Sequence, residues 1–433
     1  MVTDETPGSE TAGSTSIKDW QIFLPDRGAW FFVYLMGAFL FARPLLLLWD
    51  GGTCRHFLNG LYILAHHQLP QTDYTWAIDP SLPCVTRCWL GDLISGVFFQ
   101  AAQLNGLVFI SSLAIVAGLT WTYQVGRAKG LGLFSGLLGF VIVMACESMH
   151  WSARCHLYGY LPMIALYYYV FVVTRRTWKT VVMVAIVMAL WANLHGSFTI
   201  GMLVLGASFA GHLVDLFRWR GNSARQPELI SKLKYDLIML VTAVAATCIN
   251  PRGIEFYTTV FNYLSNPLIL HKTDEWKAFD IFGGMGSIAF LVLIAVMIWL
   301  SIYARKLPDT GELLLSIALI VAGFDAMRLI PYFAVISIAV VGPAWQALKA
   351  RRAAEIESGS SSSMPAWMAK MLDMEAKAEP DEKSNLKITA LAILAPVLMG
   401  AVFLTQPFCH VSDFDPERMP VKGVDYLDEH HVE

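Results

Sequence analysis

The sequence alternates between long apolar runs and short polar loops. A helix needs about 20 mainly apolar residues to cross the roughly 30 Å hydrocarbon core of a membrane. By this measure the sequence predicts about eleven transmembrane helices. They lie near residues 29–49, 104–124, 131–148, 156–174, 180–196, 197–217, 235–250, 283–303, 310–327, 329–348 and 387–405. A shorter apolar segment at 89–103 runs into the second of these and predicts either a long bent helix or a re-entrant one.

Composition supports the same class of protein. Of the 433 residues, 56% are hydrophobic and 15% are charged, which is more apolar surface than a soluble core of this size can bury. The sequence therefore predicts an all-α integral membrane protein. The formal net charge of −3 is too small to indicate a nucleic acid partner.

Basic residues indicate the orientation of the helices, because short cytoplasmic loops are enriched in Lys and Arg. The basic clusters fall in alternate loops, and the loops between them carry single basic residues. The clustered loops are predicted to be cytoplasmic, which places the N-terminus inside the cell and the other loops outside. The clusters are Arg127 and Lys129; Arg175, Arg176 and Lys179; Arg218, Arg220, Arg225, Lys232 and Lys234; Arg305 and Lys306; and Lys349, Arg351 and Arg352.

Two segments outside the membrane show helical spacing of apolar residues. Residues 57–69, in the long first external loop, predict an interfacial helix. Residues 364–377 carry Trp367, Met368, Met371 and Leu372 and predict an amphipathic helix on the membrane surface. The expected division of the chain is a disordered cytoplasmic tail at 1–28, a transmembrane core at 29–349 with the first external loop at 50–88, a cytoplasmic linker at 350–386, a last transmembrane helix at 387–405 and an external tail at 406–433.

The cysteines lie at or beyond the outward ends of the predicted helices. A disulfide is chemically allowed on an oxidising side of the membrane, and Cys84 with Cys88 or Cys54 is a candidate pair. The alternative is that these are small apolar residues near helix ends. Because the Cys84 and Cys88 pair has no matching second pair, the spacing argues against a zinc site.

Polar residues crowd the outward helix ends, whereas the cytoplasmic ends are expected to show only solvated basic residues. Polar groups at membrane depth are costly unless they are paired or functional. Asp50, at the end of the first run, is therefore a candidate catalytic acid, although it equally fits a simple helix end. Asp73 follows a turn and either returns to the same surface or caps the next segment. Asn193 and His195 either satisfy exposed carbonyls or face a site.

Isolated arginines at apolar boundaries suit a different task. Arg154 and Arg328 are single fixed charges of this kind, and a guanidinium is well shaped to grip a phosphate. Arg43 lies several residues short of the outward boundary. It either snorkels, pairs with an acid such as Asp50, or marks a transport pathway.

With these residues in place, the sequence resembles a bacterial family of polytopic membrane proteins in the GT-C superfamily of glycosyltransferases. The resemblance covers most of the chain. It implies a GT-C bundle in the bacterial inner membrane, with a polyprenyl-phosphate-linked sugar as donor and a lipid-linked or cell-envelope glycan as acceptor on the outward side. The matching residues are Asp50, His56, Gly60, Ile63, Leu64, Leu69, Pro70, Thr72, Asp73, Trp89, Leu90, Arg154, Trp191, Asn193, His195, Gly196, Asn250, Pro251, Gly253, Glu275, Trp276, Arg328 and Pro331.

The resemblance also implies roles for individual residues. Asp50 would be the general base, with Asp73 as its rival, because Gly51 and Gly52 stand where the looser GT-C pattern often has a second acid. Arg154, Arg252 and Arg328 would bind the lipid phosphate. His56, Glu147, Asn193, His195, Glu275 and Trp276 would line the substrate pocket. No cofactor is certain, and Asp50, Asp73 and Glu147 are candidate oxygen ligands for a divalent metal ion.

Two other functions compete with glycosyl transfer. A lipid or glycan transporter would show a cavity that reaches both faces of the membrane. A non-catalytic subunit would keep the bundle as a scaffold and bury a broad apolar flank against another chain. Many members of the resembled family continue into an external domain after the last helix, whereas this sequence stops at Glu433, and the scaffold reading allows for that difference.

Overall fold

The structure is a computed structural model. It describes residues 24, 30–74, 86–266, 276–378, 386–405, 411, 413–416 and 419. These residues form helices joined mainly by short loops. The helices are α1 Trp30–Gly37, α2 Gly52–His66, α3 Trp89–Ala128, α4 Leu133–Glu147, α5 Tyr160–Tyr167, α6 Trp178–Leu194, α7 Phe198–Arg218, α8 Gln226–Thr247, α9 Glu255–Leu264, α10 Met285–Tyr303, α11 Thr310–Asp325, α12 Ile330–Val340, α13 Gly342–Glu357, α14 Ala366–Ala378 and α15 Leu386–Thr405.

The helices confirm the predicted class, an all-α multi-pass membrane protein. Among the described residues, six helical segments are long and apolar enough to cross a membrane. Three shorter apolar helices and the two remaining predicted runs, which overlap α8 and α11, complete the bundle. The six segments are Trp89–Ala128, Leu133–His150, Cys155–Val172, Phe198–Arg218, Met285–Tyr303 and Met327–Glu357, and the three shorter ones are Phe32–Ala42, Trp178–Leu194 and Ala390–Thr405.

The first apolar run is broken, which corrects the expectation of one continuous helix over 29–49. α1 continues as a π-helical turn at Ala38–Ala42 and stops at Arg43, whose φ of −142° is not helical. A 3-10 turn at Pro44–Leu47 follows. Pro44 explains the break, because proline lacks a backbone N–H and disfavours the helical conformation in the residue before it. Asp50 therefore follows an irregular segment.

Helix α3 is bent, so the segment 89–103, predicted to be either part of a long bent helix or a re-entrant helix, is the first arm of a long bent helix. Its two arms meet at Ala102 and Gln103, where the backbone is not helical. The first arm folds back on the second, since the rings of Phe98 and Phe109 have centroids 5.9 Å apart. A straight helix would separate them by about 16 Å.

Helix α2 lies against the first arm of α3. It begins at Gly52 and not at residue 57 as predicted, so His56 belongs to the helix and not to the loop before it. The two helices touch at Gly60 and Gly96, where a Cβ on Gly60 would lie 2.7 Å from the Gly96 Cα. This close approach fixes α2 beside the start of α3.

Helix α12 runs through the centre of the bundle. All of its residues from Ile330 to Val340 are buried. It contacts α3, α4 and α11. The core helix therefore begins next to Arg328 at one end of the bundle.

The opposite end corrects the expectation that only solvated basic residues lie there. Lys129 pairs with Glu312 at 3.0 Å, and their side chains are 10% and 0% exposed. Arg176 donates to Asp236, which is also buried. These basic residues hold buried carboxylates and join separate helices.

Helix α14 is found where the sequence predicts an amphipathic helix, but part of its apolar face is covered by protein. Met368 and Leu372 are buried, whereas Trp367 is exposed. Glu375 is also buried and accepts hydrogen bonds from the Trp345 Nε1 and from the backbone N–H of Ser135. The helix is therefore anchored to the bundle by a carboxylate.

Candidate functional site

A cavity of about 730 Å³ opens at the end of the bundle where α12 begins. Its walls come from α2, the start of α3, the turn between α6 and α7, α9 and the segments around Arg154 and Arg328. The polar and aromatic lining residues are Arg55, His56, Asn59, Thr86, Arg87, Cys88, Asp92, Arg154, Cys155, His156, His195, Ser197, Thr199, Tyr263, Trp276, Arg328 and Tyr332. Residues far apart in the sequence therefore share one polar space.

Four arginines converge on this cavity: Arg55, Arg87, Arg154 and Arg328. Carboxylates hold two of them, since Arg154 donates to Asp50 at 2.8 Å and Arg55 lies 3.6 Å from Asp73. Aromatic rings position the other two. The Arg87 guanidinium lies 3.6 Å from the centroid of the Tyr263 ring, and the Arg328 guanidinium lies 4.6 Å from that of Trp276. An aromatic ring attracts a guanidinium to its face and so orients it.

Asp50 lies behind Arg154. Its Oδ1 accepts the backbone N–H of Gly52 at 2.7 Å, and its Oδ2 accepts the Arg154 hydrogen bond. Gly52 lines the cavity, and a Cβ there would lie 3.1 Å from the Arg154 Nε. The small residue lets the arginine pass between the carboxylate and the cavity. Arg154 therefore links Asp50 to the space where a ligand would bind.

His195 lies on the cavity wall in the turn between α6 and α7. Its Nδ1 accepts the backbone N–H of Ser197 at 3.1 Å, which leaves the proton of the neutral ring on Nε2. Burial, followed by the positive charge of Arg328, lowers the pKa of His195 well below its usual range. His195 is therefore a neutral hydrogen-bonding group at pH 7.

His56 and Asp92 form the second polar feature of the wall. The His56 Nδ1 lies 2.6 Å from the Asp92 Oδ1, and the Asn59 Nδ2 donates to the Asp92 Oδ2 at 3.2 Å. Burial alone would lower the pKa of His56, but Cys88 and Asp92 outweigh burial and raise it to about 10. A hydrogen bond with Cys155, followed by burial, raises the pKa of the Cys88 thiol well above its usual range. His56 is therefore protonated at neutral pH, whereas the Cys88 thiol keeps its proton.

Two cysteines complete this group. The Sγ atoms of Cys88 and Cys155 lie 3.7 and 3.6 Å from the His56 Nδ1, and Cys88 donates to the Asp92 Oδ1 at 3.4 Å. One ligand atom from each of His56, Cys88, Asp92 and Cys155 lies within 4.8 Å of all the others. Among the described residues, the candidate oxygen ligands Asp50, Asp73 and Glu147 do not form such a group with one another.

Some of the other predicted site residues lie away from the cavity. Asn193 accepts a hydrogen bond from Trp89 at 2.6 Å and donates to the carbonyls of Ala189 and Ile249, on a separate groove beside Pro251. Arg252 follows Asn250 in the turn after α8, and Glu147 is buried at the end of α4. None of these three lines the cavity. Glu275 lies outside the described residues, whereas its neighbour Trp276 is on the cavity wall.

The sequence pattern does not single out Arg87, Cys88, Asp92 or Cys155 as site residues. Cys88 and Asp92 are four residues apart at the start of α3, a spacing that brings two side chains to one helix face. That signal was present in the sequence, but the partners on α2 and beside Arg154 were not visible. The candidate disulfide partner Cys84 lies outside the described residues, and Cys54 and Cys88 are free thiols.

Among solved structures, the chain is similar to the archaeal oligosaccharyltransferase AglB from Archaeoglobus fulgidus in complex with an inhibitory peptide and a dolichol-phosphate. The two share 13% sequence identity with a TM-score of 0.49, over 87% of this chain and 55% of AglB. This chain thus spans about half of the length of AglB. No family model matches the sequence, and no curated protein sequence matches it.

Proposed function

We propose that this protein is a GT-C-like membrane glycosyltransferase that transfers a sugar from a polyprenyl-phosphate donor to a glycan or lipid acceptor. The observation that carries the proposal is the convergence of four arginines on one cavity at the end of an apolar helix bundle. A guanidinium donates charge-assisted hydrogen bonds that match phosphate oxygens, so a group of guanidiniums lining one partly buried space suits a phosphate ligand. A lipid phosphate supplies such an anion at the membrane boundary.

Arg87 and Arg328 are the main phosphate ligands in this proposal. The rings of Tyr263 and Trp276 hold their guanidinium groups in fixed positions, and a guanidinium donates paired hydrogen bonds that match two phosphate oxygens. As the bond between the anomeric carbon and the phosphate oxygen breaks, negative charge grows on the departing polyprenyl phosphate. Fixed cations at that position stabilise the transition state.

Asp50 acts as general base, and Arg154 controls it. In the absence of substrate Arg154 pairs with Asp50 and occupies its Oδ2. A donor phosphate in the cavity competes for the same guanidinium and draws it away from Asp50. The released carboxylate accepts the proton of the acceptor hydroxyl, whose oxygen attacks the anomeric carbon while polyprenyl phosphate leaves with the electron pair. Neutral His195 orients a substrate hydroxyl through its Nε2–H.

The proposal is tested by sugar transfer with the full chain in lipid nanodiscs. The donors are polyprenyl phosphates that carry radiolabelled sugars. Asp50→Asn keeps the size of the side chain and removes the base, so kcat falls by about 100-fold or more. Arg328→Gln weakens phosphate binding, so the donor KM rises by about tenfold. Arg252→Gln, the same change outside the cavity, leaves both constants near the wild-type values.

Binding of polyprenyl phosphate without a sugar separates the parts of the proposal. Wild type and Asp50→Asn bind this lipid, and Arg87→Gln binds it more weakly. Equal transfer by wild type and Asp50→Asn would remove Asp50 as base and point to Asp73. Failure of wild type to bind the lipid phosphate would overturn the donor assignment and with it the proposed reaction.

A further inference from the structure

We infer that His56, Cys88, Asp92 and Cys155 bind a zinc ion. These side chains come from three separate segments: α2, the start of α3, and the turn that follows Arg154. One ligand atom from each lies within 4.8 Å of all the others. The inference rests on this geometry and not on the proposed glycosyl transfer.

The distances between the ligand atoms fit a tetrahedral centre. Zinc bonds of about 2.3 Å to sulfur and about 2.1 Å to nitrogen give a tetrahedral sulfur–nitrogen edge of about 3.6 Å. The Cys88 and Cys155 sulfurs lie 3.7 and 3.6 Å from the His56 Nδ1. The Cys88 Sγ lies 3.4 Å from the Asp92 Oδ1, near the edge of about 3.5 Å expected for sulfur and oxygen. The His56–Asp92 pair is shorter, at 2.6 Å, and is a hydrogen bond that two coordinate bonds would replace.

The donor types select zinc over the common divalent ions of cells. Magnesium and calcium prefer oxygen ligands throughout, whereas two thiolates, an imidazole and a carboxylate suit zinc. Two thiolates, one carboxylate and Zn²⁺ carry a total charge of −1. Arg87 and Arg154, each next in sequence to one of the cysteines, line the same cavity and offset that charge.

The surroundings of the group also resemble those of a metal site. Asn59 donates to the Asp92 Oδ2, the carboxylate oxygen that is not shared with His56. Outer hydrogen bonds of this kind orient ligand carboxylates. All four side chains line the cavity, which provides a path by which an ion enters. With four protein ligands, the ion holds three segments of the cavity wall together and fixes the positions of Arg87 and Arg154 beside it.

The metal content of the purified protein tests this inference directly. The full chain is purified with an affinity tag that contains no histidines, and zinc is measured by inductively coupled plasma mass spectrometry. We expect about one zinc per chain in wild type and at least about tenfold less in Cys155→Ser, because loss of one ligand strongly weakens a four-ligand site. Cys248→Ser makes the same change at a free cysteine outside the group and keeps the metal.

Two further measurements guard against a trivial loss of folding. Asp92→Cys exchanges one zinc ligand for another and retains zinc, so it separates loss of a ligand from loss of structure. Cobalt-exchanged wild type shows thiolate-to-cobalt charge-transfer absorption, and Cys88→Ser lacks it while still eluting as a single species in size exclusion. Because neither measurement depends on activity, both give a result even if sugar transfer is absent.

Three outcomes would overturn the zinc site. One is wild-type protein that holds no zinc after reconstitution with zinc under reducing conditions. Another is a zinc content that Cys155→Ser does not change. The third is a disulfide between Cys88 and Cys155, found by peptide mass spectrometry in protein isolated without reductant, since two neighbouring thiols on an oxidising side can also be cross-linked.

Discussion

His195 makes the stability of the protein dependent on pH. Burial and the charges of Arg328, His156, His56 and Arg154 lower the pKa of His195 in the folded chain. An unfolded chain has a histidine pKa of about 6.5. Below that pH the unfolded state binds a proton at His195, whereas the folded state does not. The contribution of His195 to stability is therefore present above about pH 6.5 and is lost as the pH falls.

The expected loss is up to about 1.4 kcal/mol per pH unit below pH 6.5. It is measured as thermal unfolding in detergent between about pH 7.5 and 5.5. His195→Gln has no proton to gain, so its unfolding temperature falls less on acidification than that of wild type. His66→Gln replaces an exposed histidine at the end of α2 and keeps the wild-type dependence. Equal slopes for wild type and His195→Gln would contradict the assignment.

At the scale of single residues, the sequence was informative where a polar or charged group stood alone at an apolar boundary. Arg154, Arg328 and His195 stand out in this way, and the structure places all three on the cavity. Asn193 has the same signal but satisfies backbone carbonyls instead. The sequence does not distinguish these cases, because the difference lies in which helices neighbour the residue. The group of His56, Cys88, Asp92 and Cys155 is not predictable from the sequence for the same reason, because Cys155 joins it only through the packing of the turn after α4.

Among the helices, the contact between α2 and α3 leaves no room for added volume. A Cβ on Gly60 would lie 2.0 Å from the backbone oxygen of Asp92. Gly60→Ala therefore forces the two helices apart and is expected to destabilise the protein by about 3 kcal/mol. It also separates His56 from Asp92, so zinc binding weakens in the same variant.

Gly206→Ala is the matched control, because a Cβ at that position in α7 meets nothing within 4 Å. It is expected to leave stability unchanged or to raise it by up to about 1 kcal/mol, as alanine favours a helix over glycine. Thermal unfolding of both variants in detergent measures the difference. A Gly60→Ala protein as stable as Gly206→Ala would show that the two helices are free to move apart.

At the bend in α3 we expect a substitution to raise stability, whereas Gly60→Ala lowers it. Gln103 has φ 52° and ψ −138°, a backbone conformation that glycine adopts more readily than residues with a Cβ. Gln103→Gly is expected to raise stability by about 1 kcal/mol. Gln100→Gly, at an exposed position in the first arm, is expected to lower it by about 1 kcal/mol. Unfolding temperatures that fall in both variants would contradict strain at the bend.

Helix positions were predictable from the length of the apolar runs, but the breaks within them were only partly so. Pro44 carries a sequence signal for the interruption after Arg43, since proline ends a helix locally. Gln103 itself is neither glycine nor proline, and the nearest such signal is Gly106, three residues further on. The fold-back of α3 depends on what packs against its first arm, namely α2. The side chains of Phe57 and Phe99, which stack with centroids 4.0 Å apart, belong to that contact.

At the scale of the whole molecule, the two ends of the bundle differ in chemistry. One end holds the arginine-lined cavity. The other holds Lys129 paired with Glu312, and Arg176 paired with Asp236, in buried positions between helices. Breaking a buried pair costs about 3–5 kcal/mol, so these pairs hold the helices of that end together.

The orientation of the bundle decides which side of the membrane the cavity faces. The basic loops around Arg176 and Arg225 lie at the end opposite to the cavity, and the excess of basic residues leads us to expect that end in the cytoplasm. Introduced cysteines test the orientation in intact cells with a membrane-impermeant maleimide. Glu255→Cys, exposed at the start of α9 near the cavity end, reacts from outside, whereas Ser360→Cys, exposed after α13, reacts only after the membrane is permeabilised. The parent chain gives the background from its native thiols. The reverse pattern would place the cavity in the cytoplasm, where the donor would have to be a lipid-linked sugar of the inner leaflet, and the outward assignment would be wrong.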